Sequence, residues 1–305
     1  MTKLHNIVSI AFKMESVYRH FFMIFLYLSL LSAGEPLYIA YTANLNGNLE
    51  LCRCKPDELG SMAQLSGMID SLRTEHPELV LLDNGDFYKT YSKPFANYMA
   101  GELLSLLNYD AVGVGDQEFV EGITFLDNTC QHFPLTLLSA NIVMGQPTGL
   151  ILRKYLLIKR GEYRIGITSI LPPAAFDFIA QPNIRILPVE ETLSRILEDL
   201  IPQCDLIILL YHAGYQEALR IAQKFPLIQV IIAGHSQEQA VKRLPGQIIV
   251  QPGYDGEYLG FFKLSRENEG YIFNHSFLVI NESLNPLPLF LEKLQQFHHK
   301  LEEEK

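Results

Sequence analysis

The sequence predicts an α/β fold built on covered, largely parallel strands, and three observations predict it. Short runs of Leu, Ile and Val recur at intervals that leave room for helices between them. Four of these runs end in polar, glycine-containing segments. Further strand-like runs near the carboxyl end follow one another too closely for intervening helices, and read as an antiparallel completion of a second sheet.

Taken in order, the first strand is expected over Leu37–Thr42, ending in the polar turn Ala43, Asn44, Leu45, Asn46, Gly47. Apolar Met62, Leu65, Ile69 and Leu72 stand at helical spacing and predict a helix over 62–72. A buried strand, Leu79–Leu82, runs through Asp83 into Asn84, Gly85 and Asp86. A helix over 98–107 leads to Ala111–Val114 and then to Gly115, Asp116, Gln117 and Glu118. The same arrangement recurs where 205–210 ends in Tyr211, His212, Ala213 and Gly214, and again where 228–232 ends in Ala233, Gly234, His235, Ser236 and Gln237. Further strands are expected at 164–170, 247–251, 258–264 and 271–279. Phe290, Leu294, Phe297 and Leu301 predict an amphipathic helix at the carboxyl end. In parallel sheets, ligand sites gather outside the carboxyl ends of strands, so four polar segments at four strand ends point to one site.

With 305 residues and 48% apolar composition, the chain can bury a large core within one domain of about 250 residues. Three segments are expected: a leader over 1–33, one domain over 34–285 and the terminal helix over 286–305. A formal charge of −10 without any Lys/Arg block gives a nucleic-acid backbone no long-range attraction, so nucleic acid is not an expected partner. The apolar run Phe21–Leu31, preceded by Lys13 and Arg19 and followed by Ser32, Ala33 and Gly34, has the pattern of a secretory signal peptide cleaved after Ala33. An uncleaved N-terminal membrane anchor and a buried helix are the other readings. Export places the protein in the periplasm or cell envelope, where Cys52, Cys54, Cys130 and Cys204 could form one or two bridges that the sequence alone does not pair.

A hydrolase with two metal ions needs oxygen and imidazole ligands converging from several strands, with one carboxylate able to bridge the ions. Asp86, Asp116, His212 and His235 all follow buried apolar strands beside glycines that let the backbone turn closely. Asp86 is the natural bridging candidate.

The segments 84–86, 115–119, 211–214, 234–237 and 251–256, in their order and intervals, resemble the calcineurin-like metallophosphoesterases, specifically the catalytic domain of the secreted 5'-nucleotidases. The likeness runs from about Tyr38 to Leu264. It implies a four-layer α/β/β/α sandwich of two facing mixed sheets. It also implies metal positions at Asn44, Asn46, Asp86, Asp116, His212, His235 and Gln237, with Asp86, Asp116, Gln117, His212 and His235 as the catalytic set. The family's first pair of metal ligands falls on the neutral amides Asn44 and Asn46. The imidazole that assists phosphate transfer falls on Gln117, and its acidic partner on Val120. Gln237 matches an amide that nucleotidases tolerate.

That pattern implies one divalent ion rather than two, drawn from Mn, Zn, Fe or Mg. Loss of one ion and of the His–Asp pair removes several kcal/mol of transition-state stabilisation, at about 1.4 kcal/mol per tenfold in rate. The segment 49–55 resembles the Cys-x-Cys stretch of a bacterial subgroup of the same superfamily, and Arg53 and Lys55 there could place positive charge beside an anionic ligand. The sequence ends before the base-stacking C-terminal domain of those enzymes, so nucleobase specificity does not follow. Two functions compete: a slow exported hydrolase of a small phosphorylated molecule, and a non-catalytic binding or interaction module. The sequence names no protein partner.

Overall fold

The computed structural model describes residues 35–51, 58–177, 183–267 and 270–303. The expected leader and the Cys52–Lys55 stretch lie outside the described residues. The chain forms β1 (Leu37–Thr42), α1 (Met62–Glu75), β2 (Val80–Asp83), α2 (Pro94–Leu106), β3 (Ala111–Gly113), α3 (Ile123–His132), β4 (Leu137–Leu138), β5 (Ile142–Met144), β6 (Tyr155–Arg160) and β7 (Tyr163–Ile170). It continues with β8 (Ile184–Ile186), α4 (Val189–Leu200), β9 (Leu206–Tyr211), α5 (Tyr215–Lys224), β10 (Val230–Ala233), β11 (Gln239–Leu244), β12 (Gln247–Pro252), β13 (Tyr258–Glu267), β14 (Gly270–Val279) and α6 (Pro288–Glu303).

Two six-stranded sheets have the orders β14-β13-β1-β2-β3-β4 and β11-β12-β10-β9-β7-β6, and β5 pairs with β8 in a small third sheet. Strands β1 to β4 are parallel in the first sheet, as are β12, β10, β9 and β7 in the second. The carboxyl-end strands depart from the expected arrangement. Strand β12 lies parallel to β10 in the second sheet, whereas β13 joins the first sheet antiparallel to β1 and β14 pairs antiparallel to β13 at its edge. The two-residue turn Pro245-Gly246, with Gly246 at φ 73°, folds β11 back along β12 instead.

Because successive side chains in a strand point to opposite faces, a strand covered on both sides must be apolar throughout. In β9, Leu206, Ile208 and Leu210 enter the core between the sheets, while Ile207, Leu209 and Tyr211 face α4 and α5. In β1, Leu37, Ile39 and Tyr41 join the same inter-sheet core and Ala40 faces the helices α1, α2 and α6. Three cores separated by two sheets make the four layers, and each fully buried Leu or Ile contributes about 1.5–3 kcal/mol. Tyr41 lies over Gly260 of the neighbouring strand so closely that a Cβ there would fall 2.0 Å from the ring.

Helix α2 starts four residues earlier than its apolar periodicity indicates, because Pro94 sits in its first turn, where no N–H is needed. Helix α6 buries Phe290, Leu294 and Phe297 against the first core, with Phe297 stacked on Phe95 at 4.9 Å and Lys293 Nζ 2.5 Å from Glu102. No helix among the described residues is long and apolar enough to cross a membrane. Cys130 and Cys204 are free, partly buried thiols, so no bridge joins them, and burial pushes the Cys130 thiol up to about 12.

Candidate metal centre

Strands β1, β2 and β3 of one sheet and β9 and β10 of the other all deliver their carboxyl ends to the same place. Each chain reversal there is tight. Asn44, Asn46, Asp86, His235, Gln237 and Asp255 all have left-handed φ between 51° and 64°, six of the eight non-glycine residues with positive φ among those described. Such backbone is uncommon outside glycine and clusters at functional sites.

Glu118 holds the loops after β2 and β3 together. Its buried carboxylate accepts the main-chain N–H groups of Asp86 (3.0 Å), Phe87 (2.8 Å) and Gly115 (2.6 Å), while burial pushes its pKa up to about 8. Beside it, Asp116, in the residue preceding a short 3-10 turn, and His212, directly after β9, approach Asp86. His212 Nε2 lies 3.1 Å from Asp86 Oδ2 and 3.8 Å from Asp116 Oδ1, and His235 Nδ1 lies 3.3 Å from Asp116 Oδ1. One ligand atom from each of Asp86, Asp116, His212 and His235 falls within 4.8 Å of all the others. Asp86 and His212 are buried, whereas the His235 side chain is 46% exposed and opens the cluster to solvent.

The donor chemistry fits a divalent transition ion. His212 Nδ1 lies 2.5 Å from the Asn84 carbonyl oxygen, an acceptor only, so Nδ1 carries the proton and Nε2 turns toward the carboxylates. Both His212 Nε2 and Asp116 Oδ1 are buried without a hydrogen-bond partner, as atoms waiting on a cation would be. Burial disfavours an imidazolium at His212, yet the Asp86 charge outweighs it and pushes the pKa up to about 9. The potential at Nε2 thus calls for a positive charge, which a proton or a metal ion can supply. Gly115 keeps the space open: a Cβ there would lie 2.3 Å from Asp86 Oδ1 and 2.8 Å from His212 Nε2.

The other expected positions have different surroundings. Asn44 donates from Nδ2 to the Gly253 carbonyl (2.8 Å) and accepts the His235 N–H on Oδ1 (2.8 Å). Asn46 donates to Asp255 Oδ1 (2.8 Å) and accepts from Gln117 Nε2 (3.2 Å). Gln117 Nε2 also donates to Asp86 Oδ2 (3.0 Å), and its Oε1 is buried without a partner. Gln237 is exposed two residues beyond His235, and among the described residues no hydrogen bond ties it to the quartet. Glu118 and Asp255 were not singled out by the sequence reading. The glycines flanking Asp255, at 253 and 256, were the available signal for a tight turn.

No protein-family model matches the chain. It is 27% identical over 263 residues to 5'-nucleotidase of Rattus norvegicus, across 74% of this chain and 43% of that protein. It is 26% identical to snake venom 5'-nucleotidase of Naja atra, across 87% and 57%. The chain therefore spans about half the length of the curated relatives it matches. Among solved structures, a 5'-nucleotidase precursor from Thermus thermophilus superposes with a TM-score of 0.78 at 20% identity, over 88% of this chain and 59% of that one. The calcineurin-like phosphoesterase YfkN from Bacillus subtilis gives a TM-score of 0.70 at 19% identity, over 88% and 98%. Order of strands, the convergence of the four candidate ligand residues and these similarities agree: the chain is a metallophosphoesterase-like relative of the 5'-nucleotidases.

Proposed function

We propose that the chain is an exported, slow phosphoric-ester hydrolase that works with one divalent ion on a small phosphorylated molecule of nucleotide type. The observation that carries this reading is the quartet Asp86, Asp116, His212 and His235, with two buried atoms unpaired and aimed inward. An ion bound there would polarise a phosphoryl oxygen and lower the pKa of a water molecule. The chain's own residues do the rest. The carboxylates of Asp86 and Asp116 and the imidazoles of His212 and His235 would hold the ion, Glu118 fixes the loops that carry Asp86 and Asp116, and the exposed edge of His235 leaves the cluster open to a ligand.

Slowness follows from what the remaining residues lack. Gln117 can donate an N–H but has no proton to give up at neutral pH, and Val120 carries no charge to stabilise a cation beside it. Asn44 and Asn46 commit their amides to Gly253, His235, Asp255 and Gln117. Those same bonds favour a second reading, a module that binds a phosphorylated ligand without turning it over. Export rests on the signal-like run Phe21–Leu31.

The test is phosphate release from a panel of nucleotides and small phosphate esters with Mn, Zn, Fe or Mg, beside an Asp86→Ala control. Slow release that requires the ion and disappears in the control supports the hydrolase. Turnover as fast as an intact two-ion nucleotidase contradicts the impaired site, and ion binding without release supports the binding module.

A further inference from the structure

A carboxylate that bridges two cations needs lone pairs open to both, with the ions about 3.5–4 Å apart. Asp86 is placed differently. Its Oδ1 accepts the Gln117 main-chain N–H at 3.2 Å, and its Oδ2 accepts Gln117 Nε2 at 3.0 Å. The same Gln117 amide continues to Asn46 Oδ1, and Asn46 Nδ2 continues to Asp255 Oδ1. Every link runs donor to acceptor in one direction, from Gln117 outward to Asp86 and Asn46 and from Asn46 to Asp255.

The far end of this chain is anchored. The Asp255 N–H is donated to the Asn44 carbonyl at 2.7 Å, and the Asp255 carbonyl accepts Ser61 N–H and Asn48 Nδ2, each at 3.0 Å. Its carboxylate is partly balanced by the charge of the half-buried Lys89. Gln117 itself is 4% exposed, so its amide is not free to swing into water. The Asp86 Oδ2 that accepts Gln117 Nε2 also lies 3.1 Å from His212 Nε2 of the quartet.

Resting on the one-ion reading above, we propose that the relay Asp255–Asn46–Gln117 occupies the side of Asp86 that a second cation would need and so fixes the site at one ion. Gln117, Asn46 and Asp255 are positioning residues in this arrangement. Amide N–H groups, each with partial positive charge, stand where a second ion would otherwise neutralise Asp86. They hold the carboxylate in one orientation for the ion held by the quartet.

Mn(II) titration calorimetry and electron paramagnetic resonance test this without any turnover. The wild type is expected to bind one Mn(II) per chain with the six-line spectrum of an isolated ion. Asn46→His offers an imidazole at a left-handed position that His tolerates, but keeps Gln117, and is expected to stay at one ion. The double variant Asn46→His/Gln117→Ala frees Asp86 and is expected to take a second ion and show an exchange-coupled spectrum. Gln117→Ala alone should weaken the first ion by about 10-fold or more. A coupled two-ion spectrum in the wild type or in Asn46→His overturns the proposal, as does a folded double variant that keeps the six-line spectrum alone. If the double variant does not fold, the first two proteins still decide the matter. A wild type that takes no Mn(II) overturns the one-ion reading itself, and the inference with it.

Discussion

Asn44 Oδ1 accepts the main-chain N–H of His235 at 2.8 Å, and this single bond ties the loop after β1 in one sheet to the loop after β10 in the other. The same side chain donates from Nδ2 to the Gly253 carbonyl at 2.8 Å, so the amide grips three loops at once. An aspartate would keep the bond to His235 and set a carboxylate oxygen against the Gly253 carbonyl. Asn44 is therefore a structural fastener at a position where the resembled family carries a ligand.

Asn44→Asp should lower the unfolding free energy by about 1–3 kcal/mol, the cost of leaving a buried polar group without its partner. Urea unfolding in the presence of a chelator measures this directly. An unchanged midpoint with an unchanged slope would remove the fastening role.

Replacing ligands and replacing relay residues should separate in metal retention. Asp116→Ala and His212→Ala each remove an atom of the quartet and should leave little ion after dialysis, whereas Asn46→Ala should weaken binding by about 10-fold. Elemental analysis of the dialysed proteins reads the difference. Equal losses in all three would contradict the asymmetry between the quartet and the amides.

Gly115→Ala places a methyl group where it meets Asp86 Oδ1 and His212 Nε2. The expected outcome is a folded protein, destabilised by about 1–3 kcal/mol, with ion affinity reduced more than about 100-fold. Circular dichroism and calorimetry on one preparation check both parts. Retained affinity would mean that the ion, if bound, sits away from this floor.

At the opposite ends of β7 and β9, Arg164 donates to both carboxylate oxygens of Asp205, at 2.9 and 3.1 Å, and those bonds hold its pKa down to about 2. A carboxylate whose folded pKa lies below its unfolded value near 3.9 contributes stability that is present above that value and lost as pH falls toward 2. Solvent screening at this partly exposed pair limits the contribution to about 1 kcal/mol. Asp205→Asn should lower stability at pH 7 by about that amount and leave it nearly unchanged at pH 2. Denaturation curves at the two pH values give the comparison, and an equal loss at both would assign the effect to packing.

Strands with both faces covered were legible because their sequences have no alternative: Leu206–Tyr211 and Val80–Leu82 are apolar at every position, and the polar turns after them mark their ends. The short or edge strands were not, since β4 has two residues and β11, reading Gln-Ala-Val-Lys-Arg-Leu, faces solvent over most of its length. Which sheet β13 and β14 join depends on pairing with β1, more than 200 residues away, and no local pattern encodes that. The quartet was readable from strand-end position alone. The hydrogen bonds of Asn44 to Gly253 and of Asn46 to Asp255 each span 209 residues, so the sequence placed two amides in the turn after β1 but not the network they form.

Anomalous X-ray diffraction from crystals grown with Mn(II) tests the central claim most directly, because it gives both the number of ions and their position. A single peak is expected, within about 2.0–2.3 Å of ligand atoms from Asp86, Asp116, His212 and His235. Two peaks about 3.5–4 Å apart, a peak beside Asn44 and Asn46, or no peak at the quartet would contradict the account.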